Sequence, residues 1–122
     1  MTKIALVGHC GVDGPRIEAQ IQSILDGAEV CSCNDPDALG RVCGEGVDLL
    51  LFNRELGFGF DDEQGVERMA EIREAHPDVK MMLISDYPDA QTAAKEVGAL
   101  PGFGKADLGT SKVEKALRDA LS

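Results

Sequence analysis

The 122-residue chain has no tryptophan, one tyrosine and four phenylalanines, and its 12 lysines and arginines are outnumbered by 22 aspartates and glutamates. A formal charge of −10 with so few rings removes both the counterion-releasing charge and the stacking surfaces with which proteins hold nucleic acid, so direct nucleic-acid binding is not expected. Long apolar runs are missing too. The most apolar segment, Val47 to Phe52, is broken by Asp48 and falls well short of the ~18 residues a membrane span needs. Met1, Thr2 and Lys3 lead straight into an apolar segment without the blocks of a signal peptide. These absences predict a soluble, cytoplasmic protein with no membrane contact. Linkers, internal repeats and low-complexity tracts are also absent. With 43% apolar residues, the length suits one domain over residues 1–122 with a core of its own. A chain stopping at Ser122, just after a final helical segment, suits a complete protein and a domain cut from a longer protein equally.

Cysteine is scarce and lopsided. Cys10, Cys31, Cys33 and Cys43 all fall in the first 43 residues, which raises a thiol or metal reading. The spacing is Cys-x-Cys rather than the Cys-x-x-Cys of zinc knuckles and thioredoxin-like sites, and no second pair follows. Cys31 and Cys33 alternate onto one face of a strand, and Cys43 shares an apolar stripe with Ala38, Leu39 and Val42, where it reads as core filler. Cys10, beside His9 and next to a glycine-rich loop, stands where chemistry would occur. His76 precedes Pro77 at a helix end and needs no role beyond capping.

What is present is a regular alternation. Lys3 to Val7, Asp48 to Phe52 and Lys80 to Ile84 are near-continuous apolar runs of strand length, the pattern of strands buried on both faces of a parallel sheet. Two weaker strands are expected at Glu29 to Cys33 and at Gly102 to Lys105, the second compromised by its glycines and by Pro101. Between the strands apolar residues recur at helical spacing: Ile17, Ile21, Ile24 and Leu25; Val66, Met69 and Ala70; Ala90, Ala93, Ala94 and Val97; and Val113, Ala116, Leu117, Ala120 and Leu121. Helix starts are marked by Pro15, by Pro36 after Asp35, by Pro88 with Asp89, and by Thr110 and Ser111; ends are marked by Gly27, Gly44, His76 with Pro77, and Gly98. Strand and helix alternate five times. This predicts an α/β fold of the flavodoxin-like (βα)5 type, a doubly wound parallel sheet with strand order 2-1-3-4-5, whose binding edge lies at the carboxyl ends of the strands. That edge presents Gly8, His9 and Cys10, then Asn53 to Glu55, then Ser85 and Asp86, then Lys105.

This set of edge residues resembles the receiver domain of bacterial response regulators, and the resemblance runs along essentially the whole chain. It is most specific from Lys80 to Ser85, through an acidic loop, an alanine-rich helix, Gly98 and Ala99, to Lys105 and a last amphipathic helix. The resemblance implies an acceptor aspartate ending the third strand, an acidic magnesium-binding pair after the first, a hydroxyl ending the fourth and a lysine ending the fifth. Matched by position, Ser85 takes the place of the hydroxyl and Lys105 that of the ammonium. Asn53 stands at the acceptor position, and Gly8 and His9 stand where the acidic pair would be. An amide has no anionic oxygen with which to attack phosphorus, and glycine with histidine does not replace two carboxylates around a magnesium ion. The proline that usually follows the lysine is Ala106, and the usual aromatic of the fifth strand aligns with Gly102. Phe103, one place along, would point to the opposite face unless the strand is bulged.

The expected function is therefore that of an atypical receiver, a pseudo-receiver in two-component-type signalling. It would have no enzymatic activity and no cofactor, and would act by binding a protein partner: a kinase, an output domain, another regulator or a second copy of this chain. Its expected working surface is the fourth helix, fifth strand and fifth helix, including Ala90 to Val97 and Phe103. Asn53 is also readable as a structural cap that bonds its own loop and Lys105, and Ser85 as a cap for the loop before Asp89. Asp13, Glu55, Asp61, Asp62 and Asp86 are expected to be solvated loop carboxylates rather than a rebuilt cation site. The alternative from another class is a thiol- or metal-responsive sensor using Cys10 and His9 with Cys31 or Cys33. The Gly8 to Gly14 segment is also similar to the histidine loop of cobalamin-binding flavodoxin-like domains, but Val7 stands where their aspartate would. Gly57 and Gly59 lack the third glycine and the lysine of a phosphate cradle.

Overall fold

The computed structural model describes residues 2–122. The elements run β1 (Lys3–Val7), α1 (Asp13–Ile24), β2 (Glu29–Cys33), α2 (Pro36–Glu45), β3 (Leu49–Asn53), α3 (Gly65–Ala75), β4 (Met81–Ile84), α4 (Pro88–Glu96), β5 (Leu100–Phe103) and α5 (Ser111–Leu121), with short 3₁₀ turns at Phe58–Phe60 and Lys105–Asp107. All strands are parallel in the order β2-β1-β3-β4-β5. The apolar runs made this outcome physically necessary, because strands such as Leu49 to Phe52 and Met81 to Ile84, fully buried here, must be covered by helices on both sides.

The two faces have separate cores. On one side Ile17 and Ile21 of α1 and Val113 and Leu117 of α5 close over Ile4, Leu6, Leu49 and Leu51. On the other, Leu39 of α2, Met69 and Ile72 of α3 and Ala94 of α4 cover Ala5, Val7, Leu50, Phe52, Met81 and Leu83. Each fully buried aliphatic side chain contributes roughly 1.5–3 kcal/mol by leaving water. The expected caps are in place: Asp35 accepts from the Ala38 N–H at 2.8 Å and Thr110 from the Lys112 N–H at 3.3 Å, while the His76 N–H closes α3 on the Ile72 carbonyl at 2.7 Å. Helix α2 ends two residues later than its expected terminator, on Gly46 rather than Gly44.

The fifth strand differs from expectation. It occupies Leu100–Phe103, runs through Pro101, and stops before Lys105, which begins a 3₁₀ turn. Pro101 is tolerated because β5 is an edge strand. The register supplies the bulge that Phe103 needs: Met82 pairs with Leu100 and Ile84 with Phe103, so three residues of β5 span two of β4. Phe103 therefore points into the α1/α5 core and is only 4% exposed, which corrects its placement on an outer working surface. Gly102 permits the bulge, since a Cβ there would lie 2.1 Å from the Leu83 carbonyl oxygen.

Candidate functional site

The carboxyl edge of the sheet carries a cleft of about 320 Å3 bordered by Asn53, Arg54, Ser85, Asp86, Tyr87 and Lys105. Asn53 ends β3 and turns its amide nitrogen onto two backbone carbonyls, Glu55 at 2.8 Å and Gly8 at 3.2 Å. It ties the β3–α3 loop to the end of β1. The capping half of its expected role is thus present, but its bond to Lys105 is not. Lys105 instead donates to Asp13, the first residue of α1, at 2.7 Å. The ammonium holds the Asp13 carboxyl below its ordinary range, and the carboxylate also lies at the positive end of a helix. Asp13, expected to be a solvated loop residue, is the partner that sequence reasoning missed. The two residues are 92 apart, and no local spacing signals their meeting. Asp13→Ala is expected to cost about 1 kcal/mol of stability, the scale of a partly exposed ion pair with one short charged hydrogen bond. Urea denaturation at neutral pH measures it, and an unchanged midpoint would refute the pairing.

Ser85 is buried, and its hydroxyl accepts from the Tyr87 N–H at 3.1 Å, so it caps the loop before Asp89 as expected. Gln91 of α4 reaches back with its amide nitrogen to the carbonyls of Leu83 at 2.9 Å and Ser85 at 3.1 Å, with Phe103 at 3.4 Å. It bolts α4 to the ends of β4 and β5. Asp86 accepts from the Ala106 N–H at 3.2 Å, anchoring the turn that carries Lys105. Arg54 pairs with Glu55 at 3.0 Å and stacks over the Tyr87 ring at 4.6 Å.

Gly8 and His9 are shaped for packing rather than for ions. Gly8 has φ +71°, and a Cβ on it would lie 2.7 Å from Leu56 Cα and 2.8 Å from the Leu56 carbonyl oxygen. Leu56 itself is buried, so the β3–α3 loop fills the space a side chain at position 8 would need. The His9 ring turns inward, and its Nε2 lies 2.9 Å from the Leu51 carbonyl oxygen. A carbonyl only accepts, so Nε2 carries the proton, and in the neutral ring Nδ1 is bare. Nδ1 is buried with no hydrogen-bond partner among the described residues. Burial accordingly pushes the imidazole pKa down to about 4 from 6.5. A magnesium ion does not fit this edge: the two positions that would supply carboxylates hold a glycine and an inward-facing imidazole, and Asp13 is engaged by an ammonium.

Cys10 does not meet the other three cysteines, which cluster together. Cys10 is exposed beside α1, accepts from the Asp13 N–H at 3.3 Å, and borders a depression with Ser32 and Asn34. Cys31, Cys33 and Cys43 pack into the other core, under α2, across the sheet from Cys10. Burial raises their thiol pKa values, that of Cys33 to about 12, which keeps them protonated and poorly nucleophilic. Among the described residues no group of three or more His, Cys, Asp or Glu side chains is arranged to hold a metal ion.

No protein-family model matches the sequence, and no curated protein matches it. Solved structures do match in shape. The signal receiver domain of a DNA-binding response regulator from Colwellia psychrerythraea superposes with a TM-score of 0.78 at 14% identity, covering 98% of this chain and 97% of that one. A response regulator from Thermotoga maritima gives 0.78 at 16%, covering 99% and 98%. NtrX from Brucella abortus gives 0.82 at 18%, with this chain spanning 99% of itself but 27% of that protein. At these identities the likeness is one of fold: the chain has the flavodoxin-like fold of response-regulator receiver domains.

Proposed function

We propose that the chain is an atypical receiver domain in two-component-type signalling that acts by binding a protein partner without accepting a phosphoryl group. The observation that carries this reading is the state of Asn53. At the place in this fold where an acceptor carboxylate would stand, a neutral amide is spent on the carbonyls of Gly8 and Glu55. The amide at position 53 has no anionic oxygen with which to attack phosphorus, while the carboxylates that border the cleft, Glu55 and Asp86, are bound to Arg54 and to the Ala106 N–H. Lys105, the group that would offset charge on a transferred phosphoryl, is neutralised by Asp13. The site resembles a permanently closed form, with its cation and its hydroxyl both satisfied internally.

A partner has a surface to use. Between β5 and α5 lies a groove of about 300 Å3, floored by Leu100, Pro101 and Ala116 and rimmed by the ion pairs Lys112–Asp107 and Lys115–Asp119. Pro101 removes a donor from this edge strand, so contact by side chains is favoured over strand pairing. A kinase, an output domain or another regulator would each suit such a surface. Among the described residues no helix is long and apolar enough to cross a membrane.

The test is exposure to acetyl phosphate with magnesium, and separately to beryllofluoride with magnesium. Intact mass and the amide NMR spectrum are expected to stay unchanged. A mass gain of about 80 Da on an acidic side chain would overturn the reading.

A further inference from the structure

The turn Gly57 to Asp62, between β3 and α3, presents Phe58 almost completely to solvent, 92% exposed. A free phenylalanine on a mobile loop would signify little, but this turn is clamped. Phe60, two residues on, is buried at 3% in the α2/α3 core, and Gly59 is pressed so closely onto the Asn34 carbonyl that a Cβ would lie 1.8 Å from its oxygen. Five backbone hydrogen bonds within 56–63, including Asp62 N–H to the Gly57 carbonyl at 2.9 Å, close the turn. Asp61 and Asp62 both sit in the left-handed region, with φ 54° and 57°. The Phe58 ring is therefore held outward by the same contacts that bury Phe60, and the burial free energy of an aromatic ring is left unused.

The surroundings of Phe58 select what would cover it. Gly59 abuts Asn34 and Asp35, which places the turn against the start of α2 with Asp35 and Asp37, while Asp61 and Asp62 follow the ring in sequence. Among the described residues none of these four carboxylates is ion-paired. The nearby cation, Arg68, lies over the Phe60 ring and is shared by Glu63 and Glu71. A second copy of this chain would bring like charge to like, and a membrane offers anionic headgroups.

We propose that the Phe58 turn is a docking element for a protein partner bearing an apolar socket ringed by lysine or arginine. A rigid, pre-exposed aromatic anchor binds with little ordering cost, and the surrounding carboxylates steer the encounter and favour a basic rim. This surface lies away from the β5–α5 groove, so its failure would leave the reading of the phosphorylation site standing.

The experiment introduces a photoreactive probe by Phe58→p-benzoylphenylalanine in the full chain within its native cell, with the same probe at exposed Asp26, in the turn after α1, as reference. The expected product is one discrete protein adduct at position 58, mapping to an apolar residue flanked by basic ones. Its yield should fall severalfold when Asp61 and Asp62 are both changed to Asn. With the identified partner in hand, Phe58→Ala should weaken binding about tenfold or more, the scale of an anchor residue, and the affinity should fall as salt rises. An adduct to a second copy of the chain, an acidic adduct site, the same products from position 26, or no adduct at all would overturn the proposal. Because Phe58 is exposed, none of these variants disturbs the core.

Discussion

Gly8→Asp is expected to destabilise the domain by about 3–5 kcal/mol, a large share of the 5–15 kcal/mol that holds a small domain folded. Two costs combine. An L-residue at φ +71° gives up about 1–2 kcal/mol of backbone strain. The new Cβ would also lie 2.7–2.8 Å from backbone atoms of Leu56, which cannot retreat without unseating a buried side chain. Gly8→Ala should show most of the same loss, because the conflict begins at Cβ. Urea denaturation at neutral pH measures both, and a Gly8→Asp midpoint within about 1 kcal/mol of the parent would refute the packing argument. One consequence concerns any attempt to rebuild a phosphorylation site. Asn53→Asp would set a carboxylate against the carbonyls of Gly8 and Glu55 that the amide now serves, leaving partly exposed acceptors facing one another at a cost of about 1 kcal/mol. A variant carrying Asn53→Asp together with acidic residues at 8 and 9 is expected to unfold before it gains phosphoryl uptake.

Acid should weaken the fold through His9. Its imidazole titrates near 4 in the folded protein and near 6.5 when unfolded, so the unfolded chain binds the proton more tightly. The stabilisation is complete above pH 6.5 and is lost as pH falls toward 4, in total about 3 kcal/mol, of which about 2 kcal/mol is gone by pH 5. Asp13 acts in the same direction at lower pH. Its pKa is depressed by Lys105, so its contribution is present above its ordinary value of 3.8 and disappears as pH falls through the lowered folded value. His9→Gln keeps a donor for the Leu51 carbonyl and removes the titration. Its stability, measured by urea midpoints at pH 7 and pH 5, should change far less between the two than that of the parent. An equal pH dependence in both proteins would show that His9 is not the group responsible.

These expectations rest on contacts of very different visibility in the chain. Ser85 was placed correctly, down to its capping of the next loop, because it directly follows a buried apolar strand whose length sets where the edge falls. Asp35 and Thr110 were legible as helix caps because capping is local chemistry over three residues. Lys105 is expected on a strand and stands on a turn, because β5 begins at Leu100, two residues before the expected start, and ends at Phe103. Asn53 was expected to satisfy Lys105 and serves two carbonyls instead. Cys10 and the Cys31–Cys33 pair looked combinable in sequence, yet the sheet separates them.

The alternation of apolar runs with amphipathic, capped segments was by itself enough to determine five parallel strands with helices on both faces, because burial on both faces of a sheet and right-handed crossovers leave few other arrangements. The sequence also determined that the residue at position 53 is an amide and not a carboxylate. Tertiary structure alone decided that Leu56 fills the space over Gly8, that His9 turns inward to Leu51, that Asp13 captures Lys105 across 92 residues, and that Phe60 is buried so that Phe58 is not. Each of these depends on where two distant segments meet, and short-range periodicity carries no information about such meetings.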